Sequence, residues 1–355
     1  MTGGGADRSR YCFILPDIAR PMGGQAVIYD FAVALEAAGY DVALVHAGPA
    51  HRYPFAEAPR QVFHLPDLVR LRARKPLGRR LADLRQYAQE WRRNPRNPRF
   101  LPEPRDVYVL PEFGYPNYAR LFAGRPQVLF AQDPTALMRA YGQDRENAHE
   151  TFAAVLATSQ VAGQAVEVLL GRRPLRLTLP VSGPGLRADH PKRLQIAYMP
   201  RKLRPQSQRV AATLRRRAAF ADIPVIAIEN MSNAERDRIL NESLIFLSFS
   251  NMEGFGLPAA EAMAAGCIVV GYTGVGGNEY FTAETGFVVE HHDMIGMVAQ
   301  LERIVTEYRA DPSALDALRA HAAAEIAARY SVEVARETLL NAWETLEKDL
   351  CKGPK

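Results

Sequence analysis

Cysteine is scarce. Cys12, Cys267 and Cys351 are the only three in 355 residues, too few and too scattered for a disulfide framework or a CxxC metal site. Each reads as a buried or stray thiol. No apolar run approaches the ~18 residues that span a bilayer. The opening MTGGGADRSR lacks a long apolar stretch with a small-residue cleavage site after it, so export is not expected and a cytoplasmic location is. The glycine spacing does not spell GxGxxG, which argues against a nicotinamide site. Internal repeats and low-complexity tracts are missing as well. What is present is ordinary: 48% hydrophobic and 23% charged residues belong to a globular protein, not a disordered one. At roughly 100–200 residues per domain the length suffices for two cores.

The net charge of +5 is modest but unevenly placed. Arg70, Arg72, Arg74, Lys75, Arg79, Arg80, Arg85, Arg92, Arg93, Arg96 and Arg99 crowd one stretch that also holds Pro95, Pro98, Pro102 and Pro104. It reads as an insertion with one helix followed by an exposed irregular segment. Such a basic face suits an anionic surface. No nucleic-acid motif accompanies it or Arg215–Arg217, so no nucleic-acid partner is expected.

Elsewhere strand and helix signals alternate. YCFILP at 11–16, a loop with Gly23 and Gly24, a helical pattern through Leu35 to the stop at Gly39, and DVALVHA at 41–47 make a βαβ unit. VYVLP (107–111), VLFAQ (128–132) and VLATS (155–159) continue it, each ending in polar or turn residues. The run LPVSGPGLRADHPKR (179–193) joins this half to a second series: LQIAYMP (194–200), PVIAIEN (224–230), SLIFLSFS (243–250), CIVVGY (267–272) and GFVVE (286–290). The tail from Ser313 to Leu350 reads as helix, broken at Tyr330 and Ser331, with Val334, Leu339, Leu340, Trp343 and Leu346 on its apolar face. The expected fold is α/β, with two Rossmann-like parallel sheets. The expected domains are residues 1–185 and residues 186–330.

The most informative segment is FLSFSNMEGFGLPAAEAMAAGCIVVGYTGVGGNEYF, residues 246–281. Its strand ends at Ser248–Ser250, a loop runs Asn251–Leu257, Pro258 suits a first helical turn, and Gly266 closes the helix. The N–H groups of Gly254, Phe255, Gly256 and Leu257 then lie unpaired at a helix start, where they and the helix dipole favour a phosphate. Two acids flank this nest, Glu253 on the loop and Glu261 in the helix. A carboxylate beside a phosphate is repulsive unless it serves another group, and hydroxyls of a sugar are such a group. Complementing the positive helix end is the plain alternative for Glu261.

A Glu, seven residues and a second Glu, with GFGLP after the first and an EAMAxG helix, resembles the signature of retaining family-4 glycosyltransferases of the GT-B fold. The resemblance implies two domains facing across a cleft, with the helix of 331–350 packed back on residues 1–185, and a nucleoside diphosphate sugar as donor substrate, with no cofactor and no required metal. It implies that Glu261 binds ribose hydroxyls while Glu253 and the amides of 254–257 hold the transferred hexose. GVGGNEYF is similar to the family's second glycine turn, making Gly276, Gly277 and Glu279 further candidates, although both glycines also suit a plain sharp turn. Relatives place an Arg and a Lys after the first strand of this domain to neutralise the diphosphate. Here the position reads YMPRKLRPQ, giving Arg201 and Lys202 as catalytic cations with Arg204 nearby, and Arg201 is favoured. Gly23 and Gly24 are implied to approach the donor or acceptor.

Many relatives carry a His at an N-terminal strand tip, where this chain offers Glu112, Gln132 or Asp133. His46, His64 and His149 read as packing or surface residues. YMPRK and GYTGVGGNEYF resemble polysaccharide-assembly enzymes such as rhamnosyltransferases. The implied acceptor is a saccharide or lipid-linked saccharide, met by peripheral contact of 70–99 with an anionic membrane. Alternative readings of the same site are a GT-B-shaped epimerase or phosphorylase and a non-catalytic sugar-nucleotide-binding scaffold.

Overall fold

The computed structural model describes residues 8–15, 23–51, 53, 57–70, 88, 92, 96–181 and 185–351. The arginine-rich stretch 70–99, expected to meet a membrane, lies for the most part outside the described residues. The chain divides into two compact units. One comprises Met1–Ala157, Gly163–Leu177 and Thr338–Lys355, the other Thr158–Ala162 and Thr178–Glu337.

Among the described residues the first unit is built on seven strands, β1 (Arg10–Leu15), β2 (Asp41–His46), β3 (Gln61–His64), β4 (Asp106–Pro111), β5 (Gln127–Ala131), β6 (Ala154–Ala157) and β7 (Leu175–Arg176). Their order is β3-β2-β1-β4-β5-β6-β7, and every pairing is parallel. Helices α1 (Gly23–Ala37), α2 (Asp67–Arg70), α3 (Tyr115–Leu121), α4 (Pro134–Tyr141) and α5 (Gln160–Leu170) lie between them, the first three residues of α5 counting with the second unit. β1, β4 and β5 are buried along their whole length, as continuous apolar runs covered on both faces must be. β3 (QVFH) and β7 (LR), the edges of the sheet, went unread in the sequence because polar and charged residues stand among their few apolar ones and leave no run. Gly23 and Gly24, expected in a loop, are instead the first two residues of α1. The strand order reverses between β1 and β4, and at such a switch point the carboxyl ends of open parallel sheets leave room for a ligand.

The second unit repeats the plan with β8 (Arg193–Tyr198), β9 (Val225–Ala227), β10 (Ser243–Phe249), β11 (Ile268–Tyr272) and β12 (Phe287–Val288), in the order β12-β11-β10-β8-β9. Its helices are α6 (Arg204–Arg216), α7 (Asn233–Glu242), α8 (Leu257–Ala264), α9 (Met294–Ala310) and α10 (Ser313–Tyr330). Here the order reverses between β8 and β10, so residues just after Tyr198 and just after Phe249 are neighbours. A last helix, α11 (Val332–Cys351), belongs to the first unit from Thr338 onward. There Trp343, fully buried, stacks on Phe13 and meets Tyr11 edge-on at ring distances of 5.8 and 5.4 Å. Among the described residues no helix is long and apolar enough to cross a membrane.

Lys192 ties the second unit together from below β8. Its ammonium donates to the carbonyls of Leu240 (3.2 Å) and Asn241 (2.8 Å) at the end of α7 and of Ala265 at the end of α8, where helix dipoles favour a cation. Burial pushes this ammonium below its usual range. Lys192→Met keeps the stem and leaves three carbonyls short of a donor. It is expected to lower the stability of the fold by about 2 kcal/mol, read as the shift in a urea midpoint; an unchanged midpoint would contradict the tie.

Candidate functional site

The site of the second unit grows from its switch point. β8 ends at Tyr198 and delivers Arg201 and Lys202; its neighbour β10 ends at Phe249 and delivers Glu253. Lys202 Nζ stands 3.4 Å from Glu253 Oε1, with the Glu253 side chain 13% exposed and that of Lys202 36%. Of the two adjacent cations the sequence offered, it is therefore Lys202 that faces the acid. Arg201 is exposed and makes no ion pair among the described residues. Arg204 is paired with Glu229.

The loop after Glu253 turns into α8 through Gly256, whose φ of +90° is the left-handed region that favours glycine. Pro258 lies in the first turn, where its missing N–H costs nothing. Among the described residues the backbone N–H groups of Gly254, Phe255, Gly256 and Leu257 find no backbone acceptor. They form an open row of donors at a helix start, a ready place for an anion. Phe255 is buried and anchors the row, its ring 4.9 Å from Tyr280 and 5.1 Å from Tyr330, while the Tyr280 hydroxyl donates to the carbonyl of Gly256. Neither tyrosine reads as part of the site from the sequence, Tyr330 marking only a helix break there, because their partnership spans 50 residues of chain and leaves no local pattern.

The second glycine turn is laced to the first loop. Glu253 N donates to Gly274 O at 2.8 Å, and Gly276 N donates to Glu253 O at 3.1 Å and to Gly274 O at 2.9 Å. The last of these closes a γ-turn centred on Val275 at φ 70°, ψ −58°, a rare conformation for a β-branched residue. A Cβ on Gly276 would come within 2.5 Å of the Glu253 carbonyl oxygen, so glycine is required there by the closeness of the two loops. Gly277 is buried in the same turn, its N–H bonded to Thr273 O at 3.0 Å. Glu279 is engaged by its own unit: its carboxylate accepts from the Tyr330 hydroxyl at 3.0 Å and from the N–H of Gln160.

Glu261 sits in α8 one turn on, its side chain 17% exposed. Burial pushes its carboxyl up from the usual range, while the charge of Arg236 acts in the opposite direction. Arg236 Nη1 donates to Glu261 Oε1 at 3.2 Å. Arg236 and Asp237 were missed in the sequence, since acids and bases in SNAERDRILNE read as the solvated face of a helix.

In the first unit the switch point gathers Gly24, Glu112, Gln132 and Asp133. Gln132 Nε2 donates to Gly24 O at 3.1 Å. Asp133 caps α4, accepting from Thr135 N at 2.8 Å and Ala136 N at 3.2 Å. Glu112 is 4% exposed; its Oε1 accepts from Asp133 N at 3.1 Å, and its Oε2 is buried without a partner. Burial pushes this carboxyl up to about 8, so it is protonated at neutral pH. The histidines are packing groups, as read: His46 is buried against Tyr29, and His149 is bonded to Asp144. Cys12 and Cys267 are buried free thiols and Cys351 an exposed one. Among the described residues no group of acids, histidines and cysteines is arranged to hold a metal ion.

Two parallel α/β sheets with an anion-accepting helix start at the switch point of the second are the architecture of GT-B glycosyltransferases. Sucrose-phosphate synthase from Thermosynechococcus elongatus superposes with a TM-score of 0.63 at 15% identity, over 96% of this chain and all of that one. HepE of Anabaena, in complex with UDP and glucose, gives 0.60 at 16% identity over 95% and 100%. The pneumococcal O-GlcNAc transferase GtfA, in complex with UDP and GlcNAc, gives 0.63 at 11% identity over 97% and 99%. Residues 211–320 match the glycosyl transferases group 1 family, and they contain the loop of Glu253, Glu261 and the second glycine turn. An α-1,6-glucosyltransferase of Actinobacillus pleuropneumoniae serotype 7 is 39% identical over 49 residues, which are 14% of this chain and 15% of that protein.

Proposed function

We propose that the chain is a retaining glycosyltransferase that moves a hexose from a nucleoside diphosphate sugar to a hydroxyl of a saccharide or lipid-linked saccharide in polysaccharide assembly. The observation that carries the reading is the Lys202–Glu253 pair beside the open donor row of 254–257. The amides and the α8 dipole take the diphosphate. Lys202, with Arg201 at its side, neutralises the charge that grows on the leaving phosphate. Glu253 accepts from hexose hydroxyls, and Glu261 accepts from those of the ribose.

In the reaction the bond from the anomeric carbon to the phosphate oxygen breaks, and the acceptor oxygen bonds to that carbon on the same face. The acceptor's proton passes to the departing phosphate, so no enzymic nucleophile is needed and the nucleoside diphosphate leaves. The arginines of 70–99 supply the attraction to an anionic membrane that a lipid-linked acceptor requires, and the enzyme works at the cytoplasmic face.

UDP, the nucleotide named in the HepE and GtfA complexes, is the first ligand to titrate. Glu261→Ala removes charge-assisted hydrogen bonds worth about 1.5–3 kcal/mol, so UDP affinity by calorimetry is expected to fall roughly tenfold to a hundredfold. Equal affinity in the two proteins would remove Glu261 from the ribose. Tight UDP binding with no release of UDP from UDP-sugars, whatever acceptor is supplied, would make the protein a binder and not a transferase.

A further inference from the structure

Glu261 is held by a neighbour that the transfer reaction does not call on. Arg236, on α7, turns its fork toward Asp237, with Nε 2.8 Å and Nη2 2.7 Å from Asp237 Oδ1. That clamp leaves Nη1 aimed at Glu261 Oε1, 3.2 Å away. All three side chains are mostly shielded, at 26%, 18% and 17% exposure for Arg236, Asp237 and Glu261. Glu261 Oε2 makes no hydrogen bond among the described residues. One oxygen of the acid is therefore fixed and the other stands open at the second turn of the helix whose start carries the donor row.

We propose that Arg236, anchored by Asp237, is a positioning residue that presents Glu261 as an oriented, ionised acceptor, and so gives this site its preference for ribonucleotides over 2′-deoxyribonucleotides. The inference rests on the donor-site reading above and adds to it the selectivity of that site. Two vicinal hydroxyls donating to one carboxylate need it both charged and rotationally fixed; a neutral carboxyl offers its own proton instead and accepts poorly. Burial by itself favours the neutral form, and Arg236 opposes that tendency. Asp237, on the same helix, raises the acid slightly through its charge but fixes the guanidinium. These two are the charged groups acting on Glu261 among the described residues. A lysine in place of Arg236 would keep the charge and lose the fork.

The test is calorimetric titration of UDP and 2′-deoxy-UDP into the wild type, Arg236→Met, Arg236→Lys, Asp237→Asn and Glu261→Ala, each between pH 5.5 and 8.5. The wild type is expected to prefer UDP by tenfold or more across the range. In Arg236→Met the preference should shrink severalfold at pH 6 and recover toward pH 8.5, as Glu261 ionises without its cation. Arg236→Lys should restore the pH profile but only part of the preference, and Asp237→Asn should fall between. A wild-type profile and preference in Arg236→Met overturns the proposal, as does a uniform loss at every pH with the ratio of the two nucleotides unchanged. If Arg236→Met does not fold, Asp237→Asn decides: it leaves Glu261 and its partner in place, and an unaltered ratio in that variant overturns the inference too. Glu261→Ala separates the two levels of the argument. Unchanged UDP affinity there means the donor reading itself is wrong, whereas weakened affinity there with an indifferent Arg236→Met means only the positioning role is.

Discussion

Glu253→Gln should lower kcat roughly 10²–10³-fold while leaving the KM for the donor within about tenfold of the wild type. The substitution keeps the shape of the side chain and removes only its charge. A preorganised charge aimed at a reacting sugar counts chiefly in the transition state, where losing one such group typically costs about 2.7–4 kcal/mol. On the proposed reading, positive charge grows on the sugar and negative charge on the leaving group as the bond to the phosphate lengthens, and Glu253 with Lys202 would match that separation. Folding should be nearly untouched: Lys202 is 36% exposed, and a pair open to water to that degree contributes about 0–1 kcal/mol. Single-turnover rates and donor saturation curves measure both quantities. A raised KM with kcat intact would show that Glu253 merely grips the ground state.

The second large effect concerns Glu112 in the first unit and is a dependence of stability on pH. The ordinary glutamate value is 4.5 and burial lifts this one to about 8, so between those limits the folded state holds a proton that the unfolded state has released. Stability then falls as pH rises, by up to about 1.4 kcal/mol per pH unit from this group. Below pH 4.5 both states are protonated and above pH 8 both are ionised, and the contribution is level on either side. Glu112→Gln copies the protonated acid, keeps an oxygen for the N–H of Asp133 and cannot ionise. The variant is therefore expected to match the wild type near pH 5 and to exceed it by several kcal/mol at pH 8.5, read from urea midpoints at the two pH values. Parallel losses in the two proteins would mean that Glu112 titrates normally in the fold.

The strands of both sheets were legible where burial on both faces is most complete, because β1, β4, β5, β10 and β11 carry apolar runs ending in polar or turn residues. β3 and β7 were not, since QVFH and LR have polar or charged residues among their few apolar ones, whereas the equally short edges β9 and β12 lie within the apolar stretches PVIAI and GFVV. The loop and helix around Glu253 could be read residue by residue: glycine, proline and acid each have a geometric reason to stand where they do. Which of Arg201 and Lys202 turns toward Glu253 could not, because two adjacent side chains diverge according to the backbone after Tyr198, and composition says nothing of that path. Arg236 escaped for another reason. A charged residue on a short helix looks solvated until a second helix is packed over it.

The two hydrogen bonds that join Glu253 to the turn of Gly274 and Gly276 couple segments 21 to 23 residues apart in the chain. Neither main chain can shift without the other, so the place of the acid is set from both sides. Met252 and Val275 flank this lacing with side chains 58% and 49% exposed, yet at φ 47° and 70° their backbones suit few residue types, so exposure there does not bring freedom of substitution.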